Sequence, residues 1–189
     1  KPFGGSEDFV WTPDGKGLVY VCKKKTGKDY AQSTNTDIYY YDLKAGTTTN
    51  WTAGMMGYDM APSFSPDGKR MAWTSMHTDG YEADKTDVYV MDLGSKNAYK
   101  MNLTAGWDGT VEGFIWDSTS TKIYFNAPSK GTVQLFEVNV PGNLMVKMLP
   151  AVRQVTTGKF DVAGIVGQAR KGLIVSRTDM NHAAELYLV

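Results

Sequence analysis

One cysteine and two histidines occur in 189 residues. A lone thiol, Cys22, closes no internal disulfide, and no second cysteine exists to build a thiolate metal site with it. His77 and His182 stand far apart in polar stretches and read as ordinary loop residues, so no metal is expected. No phosphate-cradling Gly-rich loop is present, and no cofactor is expected either. Charge of one sign is also lacking: 20 Lys and Arg balance 20 Asp and Glu. That balance gives no electrostatic footprint for nucleic acid, and the only basic run, Lys23-Lys24-Lys25, reads as a solvated loop or strand edge. No segment approaches the roughly eighteen apolar residues of a membrane span, so no membrane partner is expected. A Gly-x-Ser-x-Gly elbow is missing, which leaves the chain without a recognisable hydrolase nucleophile and without an expected catalytic residue. Amphipathic helices are missing as well; the polar, Gly-containing stretches between apolar segments read as loops.

What is present is a repeat. Asn50-Trp51-Thr52-Ala53-Gly54 returns as Asn102-Leu103-Thr104-Ala105-Gly106 and as Gln154-Val155-Thr156-Thr157-Gly158, at a constant interval of 52 residues. Trp11-Thr12-Pro13-Asp14-Gly15-Lys16 returns as Phe64-Ser65-Pro66-Asp67-Gly68-Lys69, and more loosely as Trp116 to Lys122. Pro sets φ for a tight turn, Asp bonds back to its own backbone, and Gly takes the positive φ that closes the turn. Each turn leads into an apolar strand: Leu18 to Cys22, Met71 to Thr74, Ile123 to Asn126, and Leu173 to Ser176 after Lys171-Gly172. A third strand follows in each unit: Asp37 to Leu43, Asp87 to Leu93, Gln134 to Val140 and Glu185 to Val189. These are rich in aromatic and β-branched residues.

Four antiparallel strands per unit of this length describe a propeller blade. The expected fold is therefore all-β: a partial β-propeller of about four four-stranded antiparallel blades, near 8–54, 60–106, 110–158 and 160–189, the last incomplete. The chain opens at Lys1 without Met, and its fourth unit stops at Val189 after a third strand. It reads as part of a longer polypeptide.

Most carboxylates have structural explanations. Asp14 and Asp67 build turns, and Asp42 and Asp92 end third strands before the Lys44-Ala45-Gly46 and Gly94-Ser95 turns. The exception is Asp79 to Asp87, Asp-Gly-Tyr-Glu-Ala-Asp-Lys-Thr-Asp, with four acids and a Tyr between second and third strands. Its counterpart, Thr26 to Asp37, is also long, whereas the third unit shortens the connection to Ala127 to Thr132. Loops that outgrow their repeat are where a repeat protein places function.

The Ser-Pro-Asp-Gly turns and Asp-x-Tyr-x-x-Asp-Leu strands resemble TolB-like propeller repeats. Ser33-Thr34-Asn35-Thr36-Asp37-Ile38-Tyr39 and Gly80-Tyr81-Glu82-Ala83-Asp84-Lys85 resemble loop motifs in the propellers of prolyl-oligopeptidase-family serine peptidases, nearest the bacterial dipeptidyl-peptidase and acylaminoacyl-peptidase branch. The resemblance implies a propeller, usually of seven or eight blades, that caps a C-terminal α/β-hydrolase domain absent here. It also implies a periplasmic or secreted protein whose propeller gates and positions short peptide substrates. An acidic side chain pairing with a peptide's N-terminal ammonium suits that task. Glu82 is the residue expected in that role, with Tyr81 and Asp84 supporting it. The alternatives are a non-enzymatic TolB-like propeller that binds protein, peptide or glycan, and a propeller glycosidase or lyase with its own central acids.

A blade is apolar on both faces and expects a neighbour on each. A bare face of on the order of 800 Å² is worth ~20 kcal/mol as an upper bound. The isolated chain is therefore expected to self-associate.

Overall fold

The computed structural model describes residues 9–94 and 98–189. Residue 8, where the first unit is expected to begin, and Ser95 of the turn after Asp92 lie outside the described residues. Within them the chain forms four antiparallel sheets in sequence order. The first sheet contains β1 (Phe9–Trp11), β2 (Gly17–Cys22), β3 (Asp37–Asp42) and β4 (Thr47–Asn50), with α1 (Gly27–Gln32) between β2 and β3. The second contains β5 (Asp59–Phe64), β6 (Arg70–Ser75), β7 (Asp87–Asp92) and β8 (Lys100–Asn102). The third contains β9 (Gly113–Trp116), β10 (Lys122–Ser129), β11 (Thr132–Asn139) and β12 (Val152–Gln154). The fourth has three strands: β13 (Asp161–Ala169), β14 (Gly172–Asp179) and β15 (His182–Leu188). Every sheet is a simple meander, as the expected blades require.

The core lies between sheets rather than within any one of them. Val19, Val21 and Ile38 meet Met71, Trp73 and Met91 between the first two sheets. Ala72, Val88, Val90 and Leu103 meet Trp116, Ile123, Phe125 and Phe136 between the second and third. Leu135 then faces Val162, Leu173 and Val175 in the fourth. Successive residues of a strand point to opposite faces. A sheet with neighbours on both sides therefore buries consecutive residues: Met71 to Ser75 are all buried, as are Gln134 to Val138. The outer sheets keep one covered face, and Gly17 to Cys22 alternate between buried and half-buried. Cross-sheet hydrogen bonds join the layers, among them Trp116 Nε1 to the Ser63 carbonyl at 3.2 Å and Asp67 N–H to Ser120 Oγ at 3.0 Å.

Two local readings are corrected. The segment taken as loop after Thr26 contains α1, a six-residue helix with no buried residue. Having no apolar face, it leaves no amphipathic period to detect. The connection taken to run from Ala127 to Thr132 is only the two-residue turn Lys130-Gly131, because β10 continues to Ser129 and β11 starts at Thr132. Both turn residues have positive φ, 51° and 81°, the twist that a tight hairpin needs.

Candidate functional site

In a four-strand meander, the connection between strands two and three and the passage to the next sheet emerge at the same end. The Thr/Ser-Pro-Asp-Gly turns close the opposite end. At the first of these ends the two long connections, 23–36 and 76–86, converge across the first and second sheets. They bound an open cavity of about 870 Å³ lined by Lys23, Tyr30, Thr36, Tyr58, Met76 and Glu82, among others. That size suits a small ligand or a peptide end.

Backbone geometry brings the loops close. Gly80 has φ +79°, and a Cβ there would lie 3.2 Å from the Gln32 carbonyl oxygen. At Gly57, in the passage from β4 to β5, a Cβ would sit 1.4 Å from the Met76 carbonyl oxygen, an overlap that excludes any side chain. The same Gly57 carbonyl accepts from Thr36 N–H at 3.2 Å and from Asn35 Nδ2 at 3.1 Å.

Three of the four acids in Asp79 to Asp87 are committed. Asp79 Oδ1 accepts from Ser33 Oγ at 2.6 Å, Thr34 N–H at 2.9 Å and Asn35 N–H at 3.1 Å. Its Oδ2 lies 3.5 Å from Lys25 Nζ. The Ser33 hydroxyl first, then these N–H groups and the Lys25 ammonium, hold the carboxyl below the usual carboxylate range. Asp84 accepts from Thr78 N–H at 2.7 Å, Lys85 N–H at 2.8 Å and His77 N–H at 3.2 Å. Its carboxyl is likewise held low, by the Thr78 hydroxyl first. Asp87 accepts from Thr104 Oγ1 at 2.6 Å and Asn102 Nδ2 at 2.9 Å, and pairs with Lys85 Nζ at 2.9 Å.

Glu82 is the exception. It is exposed and lines the cavity, and among the described residues it makes no hydrogen bond or ion pair. Lys23, on the same cavity, gives its ammonium to the Ser33 carbonyl and lies 4.5 Å over the Tyr30 ring. Tyr81 is 56% exposed, and its N–H donates to the Thr78 carbonyl at 3.4 Å. The structure therefore places Glu82 on the cavity, Tyr81 beside it on an open turn, and Asp84 beneath the loop as a backbone anchor. Asp79 is the residue whose part the sequence did not disclose: its partners lie 44 to 54 positions away in another repeat, and no local spacing signals them.

The two histidines do not meet. His77 is exposed in the loop after β6, and His182 Nδ1 lies 2.8 Å from Asp179 Oδ1 two sheets away. No group of three His, Cys, Asp or Glu side chains among the described residues is arranged to hold a metal ion. No helix among them is long and apolar enough to cross a membrane.

Comparison with known proteins agrees with this architecture. The family profile for the TolB beta propeller domain matches residues 8–179. A dipeptidyl-peptidase 5 of Porphyromonas gingivalis is 43% identical over 163 residues, 86% of this chain and 22% of that protein. A dipeptidyl-peptidase 5 of Porphyromonas endodontalis is 42% identical over 189 residues, 100% of this chain and 26% of that protein. This chain thus spans about a quarter of the length of either relative. Among solved structures, a puromycin-hydrolyzing peptidase of Mycobacterium tuberculosis superposes with a TM-score of 0.64 at 18% identity, over 95% of this chain and 27% of that one. At that identity the likeness is one of fold.

Proposed function

We propose, from the premise that this chain belongs to the TolB β-propeller family, that it is the propeller part of a serine exopeptidase of dipeptidyl- or acylaminoacyl-peptidase type. In this reading it gates and positions short peptides for a nucleophile carried by a hydrolase domain elsewhere in the same protein. The observation that carries the reading is Glu82, facing a cavity of about 870 Å³ and the one acid of its loop without a hydrogen bond or ion pair among the described residues, whereas Asp79, Asp84 and Asp87 are each held by backbone or side-chain partners. Similarity to two proteins named dipeptidyl-peptidase 5 supplies the substrate class. A periplasmic or secreted location belongs to the same proposal.

The chemistry follows from charge and reach. A carboxylate on a cavity wall pairs with the ammonium of a free peptide N-terminus through charge-assisted hydrogen bonds. Fixing that end sets how many residues extend toward the nucleophile, and so converts binding energy into register. Tyr81 offers an aromatic wall beside the pair. Asp84 supports it indirectly, by holding the turn on which Glu82 stands.

The test is Glu82→Gln in the intact protein. kcat/KM for free-amine dipeptidyl substrates is expected to fall about tenfold, the order of one charge-assisted hydrogen bond. Substrates with a blocked N-terminus are expected to keep wild-type values. An equal loss on both would make Glu82 structural and end the proposal.

A further inference from the structure

We infer that Asp79 is a positioning residue: its carboxylate clasps the long loop of the first sheet to that of the second, fixing the cavity wall on which Glu82 stands. This inference rests on the peptide-amine reading above.

Asp79 belongs to the second repeat, yet the donors on its Oδ1 (Ser33 Oγ, Thr34 N–H and Asn35 N–H) all belong to the first. The clasp is reciprocal, since Gly80 N–H donates back to Thr34 Oγ1 at 2.9 Å. Asn35 in turn reaches the Met55 and Gly57 carbonyls through Nδ2, each at 3.1 Å, which ties the clasp to the passage from β4 to β5. Thr34, Thr36 and Gly80, within or adjoining this network, themselves line the cavity.

The span between the two anchors of the second loop is short. Glu82 lies between Asp79, held by the neighbouring sheet, and Asp84, held by His77, Thr78 and Lys85 N–H groups. The intervening backbone is folded on itself by Tyr81 N–H to the Thr78 carbonyl at 3.4 Å and Asp84 N–H to the Tyr81 carbonyl at 3.2 Å. A side chain on a segment pinned at both ends loses little further freedom on binding, which is how a site is preorganised. Releasing the Asp79 end frees Glu82 without touching its charge.

The experiment is a double-mutant cycle in the intact protein with Asp79→Ala, Asp79→Asn and Glu82→Gln. Asp79→Ala is expected to raise KM for free-amine dipeptidyl substrates about fivefold to tenfold, leaving kcat and N-blocked substrates near wild type. Asp79→Asn keeps an oxygen for the three donors and is expected to restore most of the loss. Combined with Glu82→Gln, Asp79→Ala is expected to add nothing, because it acts only through Glu82. Additive losses, or equal losses on free and blocked substrates, would overturn the inference. Amide exchange at Thr34, Asn35 and Gly80 separates the two proposals. If Glu82→Gln leaves selectivity untouched, the amine reading falls. The clasp itself stands if Asp79→Ala strips protection from those amides, and falls if protection is unchanged.

Discussion

The hydroxyl of Thr104 donates to Asp87 Oδ1 at 2.6 Å while accepting from Val88 N–H at 3.1 Å. It thereby ties the end of the fourth strand to the start of the third. The other repeats do the same. Thr52 Oγ1 accepts from Ile38 N–H at 2.9 Å and donates to Asp37 at 3.4 Å. Thr156 Oγ1 accepts from Leu135 N–H at 2.9 Å and donates to Gln134 Oε1 at 2.9 Å. All three threonines are buried. The Asn/Gln-x-Thr signature is thus an interior lock between third and fourth strands in the first three repeats, and in the first two it stands at the foot of the connections that build the cavity.

That lock predicts the behaviour of Thr104→Val. Valine keeps the shape but leaves the Val88 N–H without its acceptor, while Asp87 Oδ1 loses one donor and keeps Lys85 Nζ. An unmet buried N–H and a lost hydrogen bond to a carboxylate together cost ~2–4 kcal/mol. Thr104→Ser, which keeps the hydroxyl, is expected to cost less than about 1.5 kcal/mol, the share of one buried methyl. Urea unfolding of the two variants decides: equal midpoints would show that the hydroxyl does not hold the strand ends together.

Asp59 makes stability depend on pH in the direction opposite to an ordinary ion-paired acid. It is fully buried; Oδ1 accepts from Trp73 Nε1 at 3.1 Å, and Oδ2 has no partner among the described residues. Burial pushes its carboxyl up from 3.8 to about 6, against smaller lowering by its polar neighbours, the nearby Ser75 and Thr52 hydroxyls and the Trp73 N–H, with Asp37 adding to the rise. Between those two values the native chain holds a proton that the unfolded chain has lost. This group's contribution is therefore most favourable below pH ~4, falls as pH rises, and is lost above about 6. The difference is on the order of 3 kcal/mol. Asp59→Asn, which keeps an acceptor for Trp73, is expected to flatten that slope and to be more stable than wild type at pH 8. Unfolding free energies of both proteins from pH 5 to 8 check it, and parallel curves would refute it.

The sequence disclosed the blades because their determinants are local and recur. Ser65, Pro66, Asp67 and Gly68 carry a turn within four residues, and Met71 to Thr74 carry the strand that follows. It disclosed Glu82 as a candidate because the loop around it is long and acidic. It gave no sign that Glu82 alone of the four acids has no partner among the described residues, since the fates of Asp79, Asp84 and Asp87 are decided by partners spread from Lys25 to Thr104. The helix Gly27–Gln32 left no trace because it buries nothing. The hairpin at Lys130-Gly131 read as a longer loop because Pro128 suggests a break, whereas β10 runs through it to Ser129. Contacts within a repeat were legible; contacts between repeats were not.

Among the described residues the two outer sheets each leave one face with exposed apolar side chains, and the 189 residues are expected to self-associate when expressed alone. On the first sheet Phe9, Trp11 and Tyr41 are 50%, 58% and 36% exposed. They lie on the face opposite Val10, Val19 and Val21, which pack toward the second sheet. On the fourth sheet Leu186 and Leu188 are 69% and 58% exposed, and Leu188 pairs with Ile174 in the ladder. These leucines lie on the face opposite Leu173 and Val175, whose side chains pack toward the third sheet. Among the described residues strand β15 is also a sheet edge, a template for pairing. Each copy therefore offers one bare face of either kind. Setting first sheet to fourth sheet, twice over, would cover both, and a head-to-tail dimer is the expected assembly. Light scattering is expected to show mass rising toward the dimer with concentration. Leu186→Lys with Leu188→Lys, both at exposed positions, is expected to return the chain to monomer with little change in its unfolding midpoint. A wild-type chain that stays monodisperse and monomeric at high concentration would show that those faces need no cover.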